Sequence, residues 1–106
     1  PLRDLARLDD AAFRARFAGT PVKRTGRDRF LRNVLVAMGN AEDPTLASEA
    51  ERLLDDPSPL IRAMAVWALG RLAPERAAGL REGRAAGETD VEVLAEWDRV
   101  SMMADA

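Results

Sequence analysis

The 106-residue chain has no cysteine, no histidine and no tyrosine. Without cysteine there is no disulfide, no thiol nucleophile and no ligand for an iron–sulfur cluster. Without histidine, the commonest general base and the usual zinc ligand are missing as well. No apolar stretch approaches the roughly 20 residues that a membrane-spanning helix needs, and no glycine-rich phosphate loop is present. Nor does any segment alternate apolar and polar residues between hairpin turns, so no strand is predicted. The lack of disulfides fits a reducing compartment, and a cytoplasmic location is expected. The chain begins at Pro1 with no visible signal peptide and is read as a piece of a longer protein.

What is present is strongly helical and unevenly charged. The formal charge of -2 hides an asymmetry. Residues 1–32 carry nine Lys and Arg against four Asp, whereas residues 33–106 carry seven Arg against fourteen acids. A basic end on an acidic domain points to an anionic partner at the first third. The densest basic stretch is Lys23-Arg24-Thr25-Gly26-Arg27. It is expected to be a loop.

The next residues, Arg29 to Asn40, form the most apolar helical run of the first half. Phe30, Val34, Ala37 and Met38 are placed on one face, widened by Leu31 and Leu35, and Gly39 is placed at the C-terminal cap. Upstream, Leu2, Leu5 and Leu8 suggest a short amphipathic segment. Phe13 and Phe17 suggest a second helix, broken at Gly19-Thr20-Pro21. Downstream, Pro44 opens a helix carrying Leu46, Ala50, Leu53 and Leu54. Asp56 or Ser58 then caps a helix that starts at Pro59 and carries Leu60, Ile61, Met64, Ala65, Ala68, Leu69 and Leu72, with Gly70 placed for close packing or capping. Pro74 opens a weaker helix through Ala78 and Leu80. Thr89 or Asp90 caps a last one through Val91, Leu94, Trp97 and Val100, with fraying expected from Ser101 onward.

Gly39 and Gly70 lie 31 residues apart, and the same shift brings Phe30 onto Ile61, Val34 onto Ala65 and Ala37 onto Ala68. A period of this size marks a solenoid whose units bury their apolar faces by stacking. The string Asp55-Asp56-Pro57-Ser58-Pro59-Leu60-Ile61-Arg62, followed by Ala65, Ala68, Leu69 and Gly70, resembles a HEAT-like repeat. That resemblance suggests an ion pair of Arg62 with Asp55 or Asp56. The fold class expected is all-α: a right-handed helical-hairpin stack of about two repeat units with helical caps. Residues 1–28 are assigned to N-terminal capping helices and the basic loop, 29–72 to the repeat core and 73–106 to C-terminal capping helices, within one compact domain.

A more specific resemblance is carried by Phe13-Arg14-Ala15-Arg16-Phe17-Ala18-Gly19-Thr20-Pro21-Val22-Lys23-Arg24, Gly26-Arg27, Phe30-Leu31-Arg32-Asn33 and Ala37-Met38-Gly39-Asn40. In this order the motifs resemble the C-terminal region of epoxyqueuosine reductases. The resemblance implies a role in tRNA modification. The family reduces epoxyqueuosine to queuosine with a cobalamin and iron–sulfur clusters held in an upstream catalytic part. This piece, lacking cysteine, is expected to carry no cofactor and no catalytic residue, and to help hold the tRNA. Its expected partners are tRNA and its own upstream catalytic domain. The competing class is a protein-interaction module.

Lys23, Arg24, Arg27, Arg29 and Arg32 are the candidate nucleic-acid-binding residues, because planar guanidinium forks engage phosphate oxygens in pairs. The bland alternative is a solvated charged face with Asp28 pairing one of them. Asn33 is expected to bind a neighbouring turn, and Asn40 to serve the turn after Gly39. Trp67 and Trp97 are expected to pack rather than to serve as base-stacking platforms. The acids Glu92 with Glu96, and Glu49 with Glu51, are expected on a solvated face.

Overall fold

A computed structural model describes the backbone of residues 24–105 and the side chains of residues 26–101. The capping helices expected before Lys23, with Phe13 and Phe17, lie outside the described residues. Five α-helices occur among the described residues: α1 (Arg24–Asn40), α2 (Ala47–Arg52), α3 (Pro59–Leu72), α4 (Pro74–Ala86) and α5 (Val91–Asp105). Single turns of 3-10 helix flank α2 at Pro44–Leu46 and Leu53–Asp55. No strand occurs among the described residues, and no helix of them is long and apolar enough to cross a membrane.

The start signals act locally, largely as their residue types demand. Asp43 accepts a hydrogen bond from the Thr45 amide at 3.0 Å and caps the Pro44 turn. Pro59 and Pro74 occupy first turns, where a missing N–H costs nothing. Asp90, rather than Thr89, caps α5 by accepting from the amides of Glu92 and Val93 at 3.0 and 3.1 Å. The backbone of α5 runs on to Asp105, through most of the segment expected to fray. Gly79 and Gly83 do not interrupt α4.

Helices α1, α3 and α5 form one layer and run parallel. At the N-terminal ends of α1 and α3, Ser58 Oγ donates to Asp28 Oδ2 at 2.8 Å. At their C-terminal ends, Arg71 Nε donates to the Gly39 carbonyl at 3.0 Å. One step further along the stack, Gly70 near the C-terminal end of α3 faces the Val100 side chain of α5. The stack therefore continues beyond the two units seen in sequence. Helix α5 packs on α3 and supplies the third layer that a stack of this kind requires. Helices α2 and α4 run between them and pack on α3.

The core lies around α3, whose Ile61, Ala65, Val66, Ala68 and Leu69 are fully buried. On α1 the buried face is Leu31, Val34, Leu35 and Met38, with Arg27 at its start. The expected face was rotated: Phe30 is only partly buried and Ala37 is exposed. On α4 the buried residue is Ala77 rather than Ala78. On α5 it is Val93 that packs with Trp97 and Val100, while Val91 is 79% exposed.

The function expected of Gly39 is also corrected. It lies inside the last turn of α1, and a Cβ there would stand 2.5 Å from Trp67 Cζ3. Its smallness admits an indole; it does not end the helix. The left-handed residue after α1 is Glu42, with φ of 57°.

Candidate nucleic-acid interface

The basic stretch is helical from Arg24 onward, not a loop, because α1 begins there. This changes what its residues do. Successive residues now project at helical intervals, so neighbouring arginines point to different sides.

Arg27 points inward. It is 8% exposed and grips Asp56 with both terminal nitrogens, Nη2 to Oδ1 at 2.6 Å and Nη1 to Oδ2 at 3.2 Å. Asp28 stands beside it at 3.7 Å. Asp56 also accepts from the Ser58 amide at 2.9 Å. The pair thus ties the first turns of α1 to the turn that precedes α3. Arg29 and Arg32 point outward, and both are exposed. With Asp28 and Leu60 they line a shallow open hollow on the surface. Lys23 and the Arg24 side chain lie outside the described residues. Of the five candidate cations, the helix therefore presents two to solvent and commits one to the interior.

The Arg62 expectation is corrected in its partner. Its carboxylate is Glu88, not Asp55 or Asp56, with Nε to Oε1 at 2.9 Å and Nη2 to Oε2 at 3.1 Å. Its link to the preceding turn runs through the carbonyls of Asp56 and Pro57, at 3.0 and 3.1 Å. Glu88 also accepts from the amides of Thr89 and Asp90. Its hydrogen bonds with Arg62 hold its carboxyl below the ordinary value, and the same contact raises the guanidinium pKa. Asp55 pairs instead with Arg84. A chain of ion pairs and turn contacts, Arg27–Asp56, Arg62–Glu88 and Arg84–Asp55, consequently joins successive units.

The two tryptophans differ. Trp97 is 2% exposed and belongs to the core. Trp67 is half-buried, and the Arg71 guanidinium lies over its ring at 5.4 Å from the centroid. Arg71 was not singled out in the sequence. Its spacing of four from Trp67 is the available signal, since that spacing places two side chains over one another on a helix. Asn33 does not bind a turn; it is exposed, with no hydrogen bond among the described residues. Glu49 is not solvated either. It is buried, and its carboxylate accepts from Arg52 Nε at 3.2 Å, while Glu51 pairs with Arg76 at 2.6 Å.

No group of three potential metal-ligating side chains occurs among the described residues. The chain has no cysteine to hold a cluster, so its donor set does not fit iron–sulfur ligation.

Comparison with known proteins agrees with this architecture. The HEAT repeat family matches residues 49–75, from α2 to the start of α4. An epoxyqueuosine reductase of Xanthomonas campestris is 41% identical over 73 residues, covering 66% of this chain and 20% of that protein. One from Alicycliphilus denitrificans is 38% identical over 78 residues, covering 66% and 22%. One from Listeria monocytogenes is 29% identical over 96 residues, covering 90% and 25%. The chain thus spans about a fifth to a quarter of the length of the curated relatives it matches. No solved structure gives a significant match. Its repeated helices and these matches together place the chain with the C-terminal HEAT-like domain of the epoxyqueuosine reductase family.

Proposed function

We propose that this chain is the non-catalytic, tRNA-contacting helical part of an epoxyqueuosine reductase-like oxidoreductase in queuosine biosynthesis. The observation that carries this reading is the pair Arg29 and Arg32. They are exposed on adjacent turns of α1 and make no ion pair among the described residues. Most other arginines of the stack are matched to a carboxylate or a carbonyl. Two guanidinium forks left to solvent beside the most basic stretch of the chain suit phosphate oxygens. Lys23 and Arg24 extend the contact in sequence, and Arg27 serves it by anchoring the helix that displays the others. At the far end of the stack the exposed charges of α5 are mixed, and its Arg99 and Asp98 are paired with Glu96 and Arg81, so the cations left to solvent among the described residues lie on α1 and a polyanion is directed there. In this reading the reduction, with its cobalamin and iron–sulfur clusters, belongs to the rest of the longer protein, against which the stack also docks.

The test is tRNA affinity as a function of salt for the chain and its Arg29→Ala/Arg32→Ala variant. Loss of two phosphate contacts lowers affinity and flattens the log–log salt slope by about one per contact. An affinity and slope equal to those of the unchanged chain would remove the reading.

A further inference from the structure

The outward ridge of α3 is largely apolar. Leu60, Met64, Trp67 and Arg71 recur at helical spacing and share one face. Leu60 is 39% exposed, Met64 and Trp67 are half-buried, and Arg71 is exposed. Alongside it α1 presents Arg29, Arg32, Val36 and Asn40. Because the two helices are parallel and tied at both ends, these ridges bound a shallow groove. Its first end is the hollow of Asp28, Arg29, Arg32 and Leu60. Its second end is the Trp67–Arg71 stack against Gly39. Cationic groups therefore stand at each end, with an aromatic and aliphatic surface between them. The distance from Arg29 to Gly39 along α1 is about 15 Å at the α-helical rise, room for a few nucleotides of an extended strand.

The chemistry of the groove selects a ligand with both negative charge and flat apolar faces. A base pair in a duplex has its faces covered by its neighbours; an unpaired base does not, and can stack on an indole or a guanidinium plane. We propose that the groove between α1 and α3 binds an unpaired, single-stranded stretch of RNA, with phosphates at Arg29 and Arg32 and a base stacked at the Trp67–Arg71 pair. This rests on the tRNA-contact reading and names the part of the RNA that is recognised. An acidic peptide such as polyglutamate would satisfy the arginines but offers no ring to stack.

The experiment uses the whole 106-residue chain with three probes: a short mixed-sequence single-stranded RNA, the same RNA annealed to its complement, and polyglutamate. Binding is followed by fluorescence anisotropy and by tryptophan emission. Trp97 is buried, so a change in emission reports Trp67. The single strand is expected to bind several-fold more tightly than the duplex and to quench the emission. Arg71→Met should weaken single-strand binding by about tenfold while sparing the duplex. Because Arg71 also donates to the Gly39 carbonyl, circular dichroism and thermal unfolding check that the variant keeps the fold, and Arg71→Lys, which keeps a cation without the guanidinium plane, should likewise weaken the single strand selectively. Equal affinity for single strand and duplex without quenching overturns the groove proposal. So does a polyglutamate that displaces the RNA with the same emission change, in favour of an acidic protein ligand. If Arg29→Ala/Arg32→Ala lowers tRNA affinity but neither quenching nor an Arg71 effect is seen, only the groove proposal falls. If that double variant binds tRNA unchanged, the underlying reading falls as well.

Discussion

A Cβ at Gly39 would stand 2.5 Å from Trp67 Cζ3, while one at Gly83 would meet open space. The same substitution should therefore have opposite signs at the two sites. Gly39→Ala forces the indole aside and is expected to destabilise the chain by about 1–3 kcal/mol, the usual cost of overpacking. Gly83→Ala replaces a poor helix former on the exposed side of α4 and is expected to stabilise by about 0.5–1 kcal/mol. Urea unfolding of both variants measures the difference. In sequence Gly39 counted as a helix-ending signal, and a glycine at position 83 is on propensity alone a poor helix former. That either lies inside a helix was not legible locally, because propensity yields to packing when neighbouring helices bury the segment.

Individual helices are joined here by charges that span them. Arg27 on α1 and Asp56 before α3 are nearly sequestered from water and hydrogen-bonded in a bidentate pair. Removing only the cation leaves a buried carboxylate without its partner. Arg27→Met is expected to lower stability by about 3–5 kcal/mol, and Arg27→Met/Asp56→Leu by much less, because the lone charge is then gone. Thermal unfolding of the two variants gives the comparison. It also separates Arg27 from Arg29 and Arg32, whose replacement should leave the melting temperature nearly unchanged. The basic stretch was recognisable as a cluster from its composition. Which arginine faced water was not, since that depends on where α1 begins and on the remote Asp56, 29 residues along the chain.

Across the whole molecule, Glu88 is the acid that couples the last turn to α3. Its carboxyl titrates below its ordinary value of 4.5 because Arg62 hydrogen-bonds the charged form. A carboxyl whose folded pKa is depressed contributes stability that is fully present above the unfolded value. That contribution is lost as pH falls through the folded one. The chain should accordingly lose stability on acidification below about pH 4.5, and Glu88→Gln should be less stable at pH 7 and flatter in its acid response. Melting temperatures across pH 3 to 7 measure both.

The amino-acid order alone was enough for the class of fold, the turns set by Pro44, Pro59 and Pro74, the repeat period and the resemblance to epoxyqueuosine reductases. These depend on local residue types and on spacing along one chain. The third stacked helix, the inward turn of Arg27, the Arg62–Glu88 partnership and the groove between α1 and α3 came from packing. Each joins residues some 26 to 32 positions apart. Which pairs of such residues meet depends on helix rotation and register, quantities that a pattern of apolar spacing leaves free until neighbouring helices lock together.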